Sequence, residues 1–195
     1  MVTGDAMAPT GLEKELLRLV GAVPDPELPV ISLSELGVLR SIRVLGPGRV
    51  QVELTPTWTG CPALDAMAAD ITEVLRAHGM AEVAVRTVLS PAWSTEAISP
   101  EGRRKLAEAG VAPPRPQTRQ SPRGSQGGGS GPASEPPTGP GPWPVPGPVP
   151  LDLAIHCPHC GSTDTRLLSR FSSTACKALR RCESCREPFD HFKEV

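Results

Sequence analysis

Six cysteines carry most of the chemistry available to this sequence: Cys61, Cys157, Cys160, Cys176, Cys182 and Cys185. Four of them form two short turns, Cys157-Pro-His-Cys160 and Cys182-Glu-Ser-Cys185, separated by 21 residues. A Cys-x-x-Cys turn presents both thiolates to one point, and two such turns complete a tetrahedron around Zn2+. Iron fits the same four sulfurs, because thiolate tetrahedra accept either metal. Gly161 follows the second cysteine, where a metal knuckle often takes a left-handed backbone, and Arg186 holds the corresponding place in the second turn. The need for a metal is also energetic. Residues 151–195 contain three Phe and too small a core to fold without a staple. Two disulfides would be the alternative, which a cytosolic chain disfavours. His156 and His159 lie beside this set and are read as neighbours of the ligands, since four sulfurs already complete it.

Cys61 stands apart, in Thr57-Trp58-Thr59-Gly60-Cys61-Pro62. There it is expected to cap a helix over residues 62–78, where unpaired N–H groups and the helix dipole favour a thiolate. A thiolate is both a nucleophile and a metal ligand. The alternative is a small apolar filler at the cap. His78 belongs at the far end of that helix, so a hydrolytic Cys/His pair has little support. Cys176, in Ser172-Ser173-Thr174-Ala175-Cys176-Lys177-Ala178, reads either as a small buried residue or as a thiol near the four-cysteine site that handles sulfur or iron.

The elements that must position these residues follow from periodicity and punctuation. Leu12, Leu16, Leu19, Val20 and Val23 recur at helical spacing, predicting a helix over 11–22 that Pro24-Asp25-Pro26 stops. Residues 38–45 and 49–55 read as strands around Gly46-Pro47-Gly48, and Val50, Val52 and Leu54 alternate with Gln51 and Glu53. Pro62 opens the next helix and Gly79 follows its end. Residues 82–89 form a third strand, parallel to the second if the two are neighbours. Ser99 and Pro100 start a last helix that Gly110 ends. The expected class is α+β: a three-stranded sheet with helices on one face, and a separate four-cysteine ribbon.

Proline decides the division. The chain has 195 residues and 24 Pro, and 13 of these, with 8 Gly, fall in 113–150. Such a segment has almost nothing to bury and is read as a disordered linker, with a coil-like span of roughly 30–40 Å. Trp143 is its one sticky residue. The organisation is therefore 1–112, an α+β domain; 113–150, the linker; and 151–195, a zinc ribbon. No run of 18 apolar residues occurs, which excludes a membrane-spanning helix. Asp5, Glu13 and Glu15 stand where a secretory signal would be basic and then apolar, pointing to the cytoplasm. The formal charge of −1 gives no footprint for nucleic acid or membranes. Lys177, Arg180, Arg181 and Arg186 make only a modest basic cluster.

Several separated motifs carry a resemblance. Asp25-Pro26-Glu27-Leu28-Pro29-Val30-Ile31-Ser32, Glu35-Leu36-Gly37-Val38-Leu39, Thr55-Pro56-Thr57-Trp58-Thr59-Gly60-Cys61-Pro62 and Ser90-Pro91-Ala92-Trp93-Ser94-Thr95 resemble the iron–sulfur assembly family known as MIP18 or DUF59. Together with the stretch Ile98–Leu106 and Phe171-Ser172-Ser173-Thr174-Ala175-Cys176-Lys177-Ala178-Leu179 before Cys182, the pattern is similar to the D component of the phenylacetyl-CoA epoxidase (phenylacetate-CoA oxygenase) system. Glu35 and Ser172 depart from the family's usual Asp and Gly. The linker looks like an insertion, which predicts no fixed geometry between the parts it joins.

The resemblance implies a helper in aerobic phenylacetate degradation that is not itself catalytic. The sequence has no Glu-x-x-His pair for a di-iron bundle and no dinucleotide-binding glycine fingerprint. By the resemblance, the helper matures the iron–sulfur cluster of the oxygenase/reductase complex, with the reductase as principal partner. Cys61 would bind iron or a cluster edge transiently. Asp25 and Glu27 would supply hard ligands or orient a partner, with turn formation as the alternative for both. Cys157, Cys160, Cys182 and Cys185 would hold a structural Zn2+, with Fe as the rival metal. The alternative role is a non-catalytic docking component of the same complex. Homodimerisation through a sheet edge, with a cluster shared by two Cys61 thiolates, is also compatible with the sequence.

Overall fold

A computed structural model describes residues 10–114 and 154–193. Most of the 113–150 stretch, Trp143 included, lies outside the described residues. The first helix, α1 (Gly11–Gly21), starts at Thr10 with a capping box in which Thr10 and Glu13 satisfy each other's backbone N–H groups. Glu13 also accepts from the Val44 N–H at 2.9 Å, tying α1 to the first strand. A short helix, α2 (Leu33–Leu36), repeats the capping box with Ser32 and Glu35 and ends on Gly37 in the left-handed region. Its four residues are too few for periodicity to reveal, and the sequence reading passes over them.

Strands β1 (Leu39–Gly46) and β2 (Arg49–Leu54) form the expected hairpin. Helix α3 (Ala63–Ala77) follows, then β3 (Glu82–Thr87), which pairs parallel with β2 in the order β1-β2-β3. The parallel pairing is what a crossover helix dictates. Helix α4 (Pro100–Glu108) is capped by Ser99, whose hydroxyl accepts from the Gly102 N–H at 2.9 Å. Leu16, Val20, Leu36, Val50, Val52, Leu54, Ile71, Leu75 and Leu106 fill the core between sheet and helices. No helix among the described residues is long and apolar enough to cross a membrane.

A two-residue strand just after α4, β4 (Val111–Ala112), begins the second sheet. The ribbon supplies the rest: β5 (Thr165–Ser169), β6 (Lys177–Cys182) and β7 (Pro188–Phe192), paired antiparallel in sequence. The ribbon therefore does not form its sheet from residues 151–195 alone. Strand β4 pairs parallel with β7 and gives the order β4-β7-β6-β5. The exchange is reciprocal. Ala112 joins Cys157, Cys182 and Phe189 in the small ribbon core, while Phe192 is buried in the large core with Val111. The Phe192 ring lies 5.9 Å from Trp93, centroid to centroid, and the Trp93 indole N–H donates to the Leu36 carbonyl at 2.9 Å. The expectation of no fixed geometry fails for this reason. A few apolar groups, too scattered to form a pattern, seat the ribbon whatever the length of the connection.

Candidate functional site

The four ribbon cysteines converge as their spacing requires. All four sulfurs lie within 4.8 Å of one another. Cys157 and Cys185 are 3.7 Å apart, and Cys160 and Cys182 are 3.5 Å apart. A tetrahedral metal with bonds of about 2.3 Å would need sulfur–sulfur edges of about 3.8 Å. The donor set therefore fits a Zn2+ or iron centre. The two knuckles are built alike. The N–H groups of Cys157 and Gly161 bond the carbonyls of Ser162 and Cys157, and those of Cys182 and Arg186 bond Glu187 and Cys182. Gly161 has φ +75° and Arg186 φ +70°, so the second knuckle keeps the left-handed turn without glycine. The Cys185 N–H points at the Cys182 sulfur, which is held well below the ordinary thiol range, at about 6. The His156 ring contacts the Gly161 carbonyl at 3.1 Å, bracing the first knuckle from outside.

The predicted basic cluster is largely paired within the ribbon. Lys177 is buried against Asp190 at 3.0 Å, Arg186 faces Glu183, and Arg180 donates to Thr165.

Cys61 occupies the turn between β2 and α3 and is 8% exposed. The helix begins one residue later than expected, with Pro62 at the cap position, so Cys61 precedes the cap. The Leu64 N–H donates to the Cys61 carbonyl at 3.4 Å, and the Ala63 and Leu64 N–H groups at the helix start act to lower the thiol's pKa. The expected thiolate does not follow. Burial pushes the thiol up despite the helix N–H groups, and the Glu27 and Asp25 carboxylates add to the rise.

Asp25 and Glu27 sit on the loop after α1. Asp25 is buried, and its Oδ1 accepts from the Glu27 N–H at 2.9 Å and the Leu28 N–H at 2.7 Å. That carboxylate shapes the loop; burial raises its pKa above the ordinary value. Glu27 is half-buried, and its Oε2 faces the Cys176 sulfur at 3.7 Å. Cys176 thus lies against the loop after α1 and is not one of the four sulfurs of the ribbon centre. Burial, with the same two carboxylates, pushes its thiol up to about 11. The Thr174 hydroxyl lies 3.1 Å from it. Among the described residues neither Asp25 nor Glu27 pairs with a cationic side chain. At the root of the loop leading to Cys61, the buried Thr55 hydroxyl has no partner among the described residues. Beside this cluster a cavity of about 220 Å³ is lined by Thr57, Trp58, Trp93, Phe171, Cys176 and Phe192, among others. The sequence reading misses the place of Cys176 in this cluster. Its one available signal is a sixth cysteine left over from a complete tetrahedron.

Known proteins match along most of the chain. Residues 13–89 match a family described as iron–sulfur cluster assembly protein, and residues 145–193 match the PaaD zinc beta ribbon domain. A chain of Escherichia coli (strain K12) described as the D component of 1,2-phenylacetyl-CoA epoxidase is 38% identical over 92% of this chain and 91% of its own. An Fe-S protein maturation auxiliary factor of Porphyromonas gingivalis (strain ATCC BAA-308 / W83) is 30% identical over 48% of this chain and 90% of its own. A DUF59 domain crystal structure from Bacillus anthracis shares 28% identity, covering 52% of this chain and 97% of that one, with a TM-score of 0.46. With an assembly module followed by a zinc ribbon, and with this degree of identity along nearly its whole length, the chain belongs to the PaaD family, the D components of phenylacetyl-CoA epoxidases.

Proposed function

We propose that this chain is an accessory factor of a phenylacetyl-CoA epoxidase system that matures the iron–sulfur cluster of the oxygenase/reductase complex, with the reductase as its client. The observation that carries the reading is the placement of Cys61. A buried thiol at a helix start feels the charge of two carboxylates, Asp25 and Glu27, which form no ion pair with a cationic side chain among the described residues. Such a site disfavours a bare thiolate and favours a thiolate paired with a metal cation, which supplies the missing positive charge. Iron or a cluster edge is the cargo. Cys61 gives up its proton as iron arrives and takes one back as iron leaves. Asp25 keeps the loop in place and Glu27 offers an oxygen ligand. A site of few protein ligands holds its cargo loosely, which a donor requires. The four-cysteine centre is closed, as structural zinc sites are, and Zn2+ is its resident metal.

The test is the cluster content of the reductase purified from cells carrying Cys61→Ala. Depleted clusters with intact reductase polypeptide are expected, and full occupancy would reject the reading. A second role, docking within the complex, is favoured by one observation. Phe171 is 65% exposed and Trp58 is 39% exposed, both on the walls of the apolar cavity. Exposed aromatics around a pocket are typical of binding surfaces. Stable co-purification of the Cys61→Ala chain with fully clustered reductase would support docking alone.

A further inference from the structure

Strand β3 is an open edge of the first sheet. It pairs with β2 in unbroken register over Glu82–Thr87, and no strand lies beyond it among the described residues. The N–H groups of Glu82 and Val88 donate to the Gly48 and Leu54 carbonyls. Backbone groups alternate sides along a strand, so Ala84 and Arg86 also face β2, and Val83 and Val85 turn their N–H and C=O groups to the open edge. Those groups have no partner among the described residues. Such an edge invites another strand, and proteins usually blunt it with bulges, lysine or proline. The opposite edge, β1, carries register shifts between Leu39 and Ser41 and between Val44 and Gly46. Strand β3 has no register shift, no Lys and no Pro.

Its sequence is instead complementary to itself. A two-fold axis at Ala84 sets Val83 opposite the partner's Val85, so that the outward backbone groups exchange hydrogen bonds. The same axis sets Glu82 opposite the partner's Arg86, in a position without backbone bonds where side chains approach most closely. An axis at Val85 would satisfy the backbone equally, but it sets Glu82 against Val88 and Arg86 against Ala84. Only the axis at Ala84 joins opposite charges. Arg86 is exposed and forms no ion pair among the described residues. Glu82 holds Arg49 through Oε2 at 3.0 Å, and its side chain is 72% exposed, which leaves Oε1 for a second cation.

Helix α3, which packs on β3, fits the same symmetry. Its Asp70, Val74 and Ala77 line a groove with Leu19 of α1. The opposite flank, with Ala68, Ala69, Thr72 and Arg76 around a shallow groove, therefore lies on the side of the open edge. Asp65 stands at one end of that flank and Arg76 at the other, and neither forms an ion pair among the described residues. Small residues between opposite charges suit an antiparallel copy of the same helix. We propose that two copies of this chain dimerise through β3, antiparallel about Ala84, and join their three-stranded sheets into one continuous sheet. The contact is isologous, so it closes at two copies. It also bears on the Cys61 site without depending on it. Helix α3 begins just after Cys61 and runs antiparallel to its copy, so the two Cys61 thiols lie at opposite ends of the helix pair, ~20 Å or more apart. Each chain then keeps its own site, and no cluster is shared between two Cys61 thiolates.

The experiment is sedimentation of the full, metal-loaded chain over a range of concentrations, with cross-linking to read the register. The wild type is expected to dimerise as concentration rises. Arg86→Glu sets like charges opposite each other twice and should raise the dimer Kd about tenfold or more. Adding Glu82→Arg to it should restore the dimer. In this register Ala84→Cys brings two Cα atoms to ~4.5 Å, within reach of a disulfide, and mild oxidation should give a covalent dimer beyond that of the parent chain. Glu82→Cys, whose two copies lie ~13 Å apart, should not. A wild type that stays monomeric up to millimolar concentration overturns the proposal. So does a dimer that Arg86→Glu leaves unchanged, or one that cross-links through Glu82→Cys in preference to Ala84→Cys. Urea midpoints check the fold of each variant. Should the charge-swapped chain prove unfolded, the two cysteine variants decide.

Discussion

Asp25 has the clearest role of the acidic residues around the site. Its buried carboxylate accepts two backbone N–H groups and holds the loop from which Glu27 projects. Asp25→Ala leaves both N–H groups unpartnered and should cost about 2–3 kcal/mol in urea unfolding. Asp25→Asn keeps an oxygen acceptor and removes a buried charge, so its cost should stay below about 1 kcal/mol. Equal losses for the two variants would contradict the assignment. The cysteines differ in how much of their role sequence can carry. A tetrahedral set is written in two short spacings, and Cys157, Cys160, Cys182 and Cys185 meet as those spacings require. Cys61 stands out because it falls at a strand-to-helix junction beside proline. The contact of Cys176 with Glu27 has no local spacing to announce it, and sequence proximity points its thiol at the nearer metal site instead.

Short elements make up the frame of this fold. Gly37 ends α2 with φ +75°, and a Cβ built there would lie 2.4 Å from the Ala97 carbonyl oxygen. Because the obstacle is backbone, Gly37→Ala should cost about 2–4 kcal/mol and lower the urea midpoint without changing the cysteine chemistry. Glu35 links α2 to α4 through Lys105 at 2.6 Å. Burial alone would raise the Glu35 carboxyl, but the Lys105 ammonium and the Ser32 N–H outweigh it and hold it below its ordinary value. A lowered carboxylate contributes stability that is present above its unfolded-state pKa and is lost as pH falls through the folded value. Lys105→Ala should therefore flatten the acid limb of the stability–pH curve, and an unchanged limb would refute the link. Glu35 is long enough to serve both the cap and the ion pair. The long helices and the β hairpin are legible from periodicity. Helix α2 and strand β4 are not, because four residues and two residues make no period.

At the scale of the whole molecule, the ribbon and the assembly module share their cores. Val111 and Ala112 pair with Asp190 and His191, and Phe192 reaches Trp93. Removing the ribbon's metal should therefore do more than unfold the ribbon. Amide exchange at Val111 and Ala112 should quicken along with that of β7, whereas a ribbon that merely trails from its connection would leave those two amides unchanged. Proline and glycine mark a connecting segment in the sequence, but such composition says nothing of what the residues at its two ends bury. The most direct measurement of the central claim is iron itself. The chain should be purified anaerobically from iron-replete cells as wild type and as Cys61→Ala, and assayed for metals and visible absorption. The account predicts zinc in both proteins and a labile, coloured iron in the wild type that is missing from the variant. Equal iron in the two proteins would contradict it.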